Sequence, residues 1–402
     1  MIGRRRLLLS SAGAGLLLAS PGILRHARAA GEVLKVGIPV PISGGNAANG
    51  KYASMGAILA AEEAAAKYGR EIKTFDLDTE GKPDVAVRKM QDAIQSEGIK
   101  LFAGGILSSE SLAMGKEADK GGANFITTAG ADEITGTECN SATFRWSVPT
   151  FGAINQTVRP IIDAIPAGKR WYTITPQYVF GEGLLKAAQD VLAEKGLEHV
   201  GNSYHSLTEK EFSGYLTNAI AAKPDVLLIL NFGAQCADTL RQAVSFGLKE
   251  RMTIVVAWAS GLEQFKALGP DLCQDIYFGA QYWHSIDSPL NQQLVKLTQD
   301  KYKENPNYSL AGSYICTKLM IDAAMKAGSD DQKAVQAALK GMSYDGLTGT
   351  ELVRPEDNQV IKNYYLLKAK AKSAMTNDDD YADVISFGQS FLAVDQTGCK
   401  LA

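Results

Sequence analysis

The string Gly45-Asn46-Ala47-Ala48-Asn49-Gly50-Lys51 satisfies GxxxxGK, the first part of a loop whose backbone N–H groups and lysine cradle a nucleotide phosphate. Tyr52 stands where that chemistry needs a Ser or Thr hydroxyl to hold Mg²⁺, so no nucleotide is expected there. What remains is a loop lining a cleft. Catalytic constellations are as poorly served. Beyond residue 29 the chain has only His199, His205 and His284, in no HExxH-like metal arrangement, and both His199 and His205 fall along one apparent strand. No GxSxG elbow and no paired-carboxylate motif stands out. The expectation is a binder that is not an enzyme, with no cofactor and no metal.

The residue types that suit binding sit at strand ends. Leu101 to Ile106 reads as a strand, and Ser108 and Ser109 then open a helix. A serine there is by default an N-cap. A helix N-terminus at the carboxyl edge of a strand also presents free N–H groups and positive dipole, which suit a carboxylate. Thr127, Thr128, Ala129, Gly130 and Ala131 close the next strand with small residues that let backbone approach a ligand. Further along, Tyr178 and Phe180 flank a strand-to-helix turn, Phe232 follows a strand, and Trp258 ends another. Any one of these suits ordinary core. Four aromatics at successive strand ends also suit an apolar small-molecule pocket.

The elements that position these residues alternate strand and helix, the pattern of parallel sheets covered on both faces. One set of strands is expected at Leu34 to Val40, Ile72 to Leu77, Leu101 to Ile106 and Phe125 to Thr128, with helices from about Lys51, Pro83 and Ser109. A second set is expected at Trp171 to Thr175, His199 to His205, Val226 to Leu230 and Ile254 to Trp258, with helices from about Gly181, Phe212, Ala237 and Leu262. Phe144 to Asn155, with Pro149 inside it, reads as an extended crossover between the sets, and Tyr277 to His284 as a second. Helices over Pro289 to Lys303 and Leu310 to Ala327 read as returning to the first lobe. Asn363 to Leu367 is strand-like, and Asn377 to Asp380 reads as a solvated acidic turn.

Arg4 to Arg6, the apolar run Leu7 to Leu18 and Ala27-Arg28-Ala29 have the three parts of a secretory signal peptide over residues 1–29, compatible with the general or the twin-arginine route. Removing it takes five of the 41 basic residues and none of the 44 acids, which leaves a net charge of −8. That charge argues against nucleic acid or an anionic membrane as partner. Of the five cysteines, Cys236 and Cys316 read as buried small hydrophobes within helices. Cys139 and Cys399 lie in polar, loop-like contexts and are the pair expected to form a disulfide.

Taken in order, VGIPVPISG, DVAVRKMQDAI, GGILSSES, FITTAGADEIT, FGEGL and DTLRQAVSFGL resemble the periplasmic leucine/isoleucine/valine-binding proteins, the branched-chain amino-acid type of ABC-transporter substrate-binding protein. The likeness covers nearly the whole chain after residue 29. It implies an α/β fold of two doubly wound parallel-sheet lobes joined by three crossovers, the type I periplasmic binding protein fold, closing on a ligand in the cleft. Lobe 1 would comprise 30–147 and 284–362, and lobe 2 would comprise 148–283 and 363–402.

By position, the resemblance puts a ligand carboxylate at Ser108 and Ser109 with backbone help from Ala129, an aromatic cover at Phe180, another aromatic at Phe232, and Asn49 in the covering loop. Tyr178 and Trp258 complete the expected ligand set. The threonine that helps hold an amino group in the family falls at about Ala131, beside Asp132, and the second-lobe glutamate falls near Trp258-Ala259. An α-amino group thus lacks its obvious partners, and a buried unpaired ammonium is very costly, so either Asp132 substitutes or the ligand has no amine. The expectation is a monomeric periplasmic protein that delivers an aromatic or aliphatic carboxylate to a membrane ABC permease. A branched-chain amino-acid binder and an exported sensor module are the alternatives.

Overall fold

The computed structural model describes residues 33–401, so the signal-peptide reading of residues 1–29 lies outside the described residues. The first sheet is parallel and has five strands, β1 (Leu34–Val40), β2 (Ile72–Asp78), β3 (Leu101–Gly104), β4 (Asn124–Thr127) and β5 (Thr143–Arg145), in the order β2-β1-β3-β4-β5. Its central strands are almost wholly buried runs such as LKVGIPV and LFAG, as sequences covered on both faces must be. Helices α1 (Ala47–Tyr68), α2 (Pro83–Glu97) and α3 (Ser108–Lys120) connect the strands, and α4 (Thr150–Ala164) leads away from β5.

The second sheet begins with β6 (Arg170–Pro176), β7 (Glu198–His205), β8 (Val226–Ile229), β9 (Thr253–Val256) and β10 (Tyr277–Ala280). Helices α5 (Val179–Glu194), α6 (Ser213–Ala222), α7 (Gly233–Ser245), α8 (Leu262–Leu268) and α9 (Pro270–Cys273) join them. The chain then forms α10 (Pro289–Tyr302), α11 (Tyr308–Ala327), α12 (Gln332–Leu339) and a small antiparallel sheet of β11 (Ser343–Gly346), β12 (Gly349–Val353) and β13 (Val360–Ile361). It returns as β14 (Tyr364–Ala369) and β15 (Ala382–Gly388), two antiparallel additions to the second sheet, whose order is β15-β14-β10-β9-β8-β6-β7. A last short helix is α13 (Val394–Thr397).

Several local expectations are corrected. The expected cleft loop Gly45 to Lys51 is mostly the first turn of α1, and Gly50 sits there because a Cβ would stand 1.9 Å from the Pro41 carbonyl oxygen. The tight β1-to-α1 turn therefore packs backbone on backbone. Tyr52 donates to Glu304 at 3.1 Å. The expected extended crossover Phe144 to Asn155 is instead the end of β5, four irregular residues and the start of α4, with Pro149 at the N-cap, where its fixed φ suits a helix start. The acidic turn is not merely solvated: Asp379 pairs with Lys266 at 2.8 Å and Asp380 with Lys370 at 2.7 Å.

Three crossovers between the sheets meet at one buried knot. Gln281, after β10, accepts from the Val148 N–H at 2.9 Å and donates to its carbonyl at 2.7 Å. Lys362, between β13 and β14, donates to the Gln281 carbonyl at 2.8 Å and lies 4.2 Å from the Trp146 ring centroid. Burial pulls its pKa down to about 7. The buried amide and cation fix where the chain bends from one lobe to the other.

Glu110, the third residue of α3, is fully buried, with its carboxyl among Thr79 and the backbone of Leu107 and Lys82, and burial pushes its pKa up to about 7. The unfolded chain releases this proton near pH 4.3, whereas the native state keeps it to about 7. Stability from this group is therefore complete below about pH 4.3 and is lost as pH rises through 7. Denaturant unfolding of the native sequence and of Glu110→Gln should diverge by on the order of 3 kcal/mol between pH 4.5 and 7.5, with the native sequence losing more stability by that amount. Parallel pH profiles would mean that the carboxyl titrates normally.

Candidate functional site

In both sheets the strand order reverses beside the first strand, between β1 and β3 and between β6 and β8. Ligands in open α/β sheets bind at the carboxyl ends of such strands. From the first sheet, Ile106, Thr128 and Gly130 follow their strands to a small cavity between the two sheets. From the second sheet come Tyr178, Phe180, Phe232 and Trp258, and from the start of α11 come Tyr308 and Ser309. Tyr178 and Phe232 also line a wider cleft with Gly45, Asn46 and Leu107.

The rings pack on one another. Phe180 meets Trp258 edge-on at 5.1 Å between centroids and Tyr178 at 5.9 Å, while Trp258 meets Tyr308 at 6.3 Å. Gly130 is required opposite them, because a Cβ there would lie 2.6 Å from Trp258 and 2.8 Å from Phe180. Tyr308 donates to the Thr128 carbonyl at 2.6 Å, which fixes its ring against the first lobe. The chemistry of the space is an aromatic box with a few polar groups at one edge, suited to the apolar body of a small molecule.

Of the residues singled out in the sequence, the structure brings Tyr178, Phe180, Phe232 and Trp258 together around this cavity. The small polar set is deployed differently. The Ser108 hydroxyl is not an N-cap; it accepts from the Ala131 N–H at 3.1 Å, and Leu107 occupies the cap position. The Ala129 N–H donates to Thr127 Oγ1 at 3.1 Å and its carbonyl accepts from Ser147 at 2.7 Å, so its backbone is already engaged. The Ala131 carbonyl accepts from Arg145. Ser109 is half-buried beside Ser108 in the first turn of α3, where the helix itself has no acceptors for the N–H groups. That turn follows directly on Ile106 at the cavity wall.

Asn49 is not among the residues lining the cavity: its Nδ2 donates to Glu263 Oε1 of the second lobe at 3.3 Å and to the cavity-lining Ser309 at 3.2 Å. Glu263, in the first turn of α8, and Tyr308 and Ser309, at the start of α11, are the residues that the sequence reading missed. The Glu263 Oε2 atom is buried without a hydrogen bond, and burial pushes the carboxyl up to about 7. Asp132, considered as a substitute amine partner, points away from the box; it accepts from the Phe151 N–H at 3.1 Å and lines a separate pocket with Arg145 and Arg354. The second-lobe acid near the cleft is Glu263. An acid in a helix's first turn ordinarily serves the dipole, which is why nothing marked it; its place after the Gly261 turn at a strand's carboxyl end was the available signal.

Cys139 and Cys399 are joined by a disulfide with Cα atoms 5.6 Å apart, and Cys236, Cys273 and Cys316 are buried free thiols. Among the described residues no group of acidic, histidine or cysteine side chains could hold a metal ion, and no helix is long and apolar enough to cross a membrane.

The family model described as periplasmic binding protein matches residues 33–374. The chain belongs to the periplasmic binding protein family. Within it, the relatives are of the leucine/isoleucine/valine-binding type of ABC-transporter substrate-binding protein, with the two-lobed type I fold. A solved structure named amino acid ABC transporter substrate-binding protein, from Pseudomonas fluorescens Pf-5, is 54% identical, covers 92% of this chain and 100% of its own, and superposes with a TM-score of 0.89. A solute-binding protein of an ABC transporter from R. palustris, in complex with benzoate, is 25% identical over 92% of this chain and 100% of its own, with a TM-score of 0.81. The curated Leu/Ile/Val-binding protein homolog 4 of Brucella abortus (strain 2308) is 24% identical over 250 residues, 59% of this chain. The chain spans 60% of the length of that relative.

Proposed function

We propose that this periplasmic binding protein is exported, captures a small carboxylate with an aromatic or aliphatic body between its lobes, and delivers it to a membrane ABC permease without chemical change. The observation that carries this reading is the convergence of Tyr178, Phe180, Phe232, Trp258 and Tyr308 on one cavity. The first turn of α3 lies immediately beside it, and its dipole and the N–H groups that have no acceptor within the helix suit the carboxylate. Hinge closure follows from contacts that a bound ligand makes to both lobes, which favour the closed state. A relative from R. palustris with a similar fold is in complex with benzoate, which supports this reading.

A second reading is an amino acid, and Glu263 favours it. Its buried Oε2 could accept from a ligand ammonium, a partner absent from the sequence-based assignment. The amino-acid name of the relative from Pseudomonas fluorescens points the same way. A thermal-shift screen separates the two. Benzoate-like acids should raise the melting temperature by roughly 4 °C at a hundredfold excess over Kd, because binding to the native state alone stabilises it by mass action. Stabilisation by leucine and not by benzoate would replace the first reading with the second.

A further inference from the structure

The chain crosses between the lobes a fourth time, after β15, and this crossing is fastened at both ends. On the second-lobe side, Gln156 of α4 donates to the Gln389 carbonyl at 3.4 Å, and the Ser390 carbonyl lies 2.0 Å from the position of a Cβ on Gly152. On the first-lobe side, Arg354 donates to the Leu392 carbonyl at 3.1 Å. Arg354 belongs to a segment that pairs with β5: the Arg145 N–H donates to the Asn358 carbonyl at 3.1 Å, and Arg354 is itself held by Asp357. Seven residues further on, Cys399 is bonded to Cys139 of the first lobe, 260 positions away in sequence.

We propose that residues 389–401 are a covalently anchored strap that limits how far the lobes open. Between Ser390 on α4 and Leu392 on Arg354 the chain has only two residue steps, a reach of about 7 Å when fully extended. That span has little slack. The Arg354 contact alone could be peeled away by opening, since a single hydrogen bond contributes only about 1 kcal/mol net. The disulfide keeps the end of the strap in place, so the lost contact re-forms. Phe391 and Leu392 wedge beside Pro149 and Arg145 at the hinge, which makes the strap a neighbour of the three crossovers it reinforces.

The test uses the exported, ligand-free protein and two variants. Thiol titration of the denatured protein should first find three free cysteines. In Cys399→Ser the anchor is lost, and small-angle scattering should report a larger radius of gyration, by about 1 Å on the value near 21 Å that a chain of this length has when compact. Inserting Gly-Ser-Gly-Ser after Ser390 keeps the disulfide and lengthens only the crossing, so it should produce the same increase even if the serine variant is too unstable to measure. Five free thiols, or an insertion variant with the native radius, would overturn the proposal.

Discussion

Phe180→Ala should weaken binding of an aromatic acid by about thirtyfold, with the protein still folded. Phe180 is 4% exposed, sits in the first turn of α5 and is held edge-on by Trp258. Removing the ring takes away apolar area worth about 2 kcal/mol to a ligand lying against it, which corresponds to that factor in Kd. The same truncation costs native stability through the space it leaves, so calorimetric titration has to be run well below the melting temperature of the variant. Phe246→Ala serves as the control, because Phe246 is 38% exposed and lies outside the residues lining the cavity. Equal binding by Phe180→Ala and the native sequence would place the ligand elsewhere.

A second large effect is expected at Glu263, and its sign distinguishes the ligand classes. Burial holds this carboxyl up to about 7, so it is mostly neutral at pH 6 and mostly ionised at pH 8. A carboxylate ligand nearby favours the protonated form. Its affinity should therefore fall as pH rises through 7, by up to tenfold per pH unit, because binding then requires proton uptake. Glu263→Gln should abolish that slope and retain the low-pH affinity. An ammonium-bearing ligand reverses every sign: affinity would rise through pH 7, and Glu263→Gln would cost 2 to 5 kcal/mol by removing the charge partner (about thirtyfold or more). Calorimetry at pH 6, 7 and 8 on both proteins reads the difference directly.

The fold was legible wherever burial on both faces leaves a continuous apolar run. Val226 to Leu230 and Leu34 to Val40 were readable for that reason, and the observed strands begin where expected. Short or one-sided elements were not. The three residues of β5 carry too little pattern, and β11 and β12 alternate exposed with buried residues around Tyr344 and Glu351. Gly50 and Pro149 looked like loop punctuation; in three dimensions one permits a backbone contact at a helix start and the other caps a helix.

The aromatic half of the site could be read because the end of a parallel strand has a known place in the fold. The polar half depended on tertiary partners. Ser108 faces the Ala131 N–H, Asn49 reaches Glu263 across 214 positions of sequence, and Tyr308 comes from a helix that packs back on the first lobe. Spacing along the chain carries no record of such partnerships.

A small carboxylate held in the aromatic box between the lobes is open to direct observation. The most direct test is a crystal structure of the protein grown with benzoate and, separately, with leucine. A benzoate ring is expected between Phe180, Trp258 and Tyr308, with its carboxylate at the first turn of α3. Leucine in that space with its ammonium on Glu263 would correct the ligand class, and an empty box with ligand bound elsewhere would mean that the aromatic box is not the binding site.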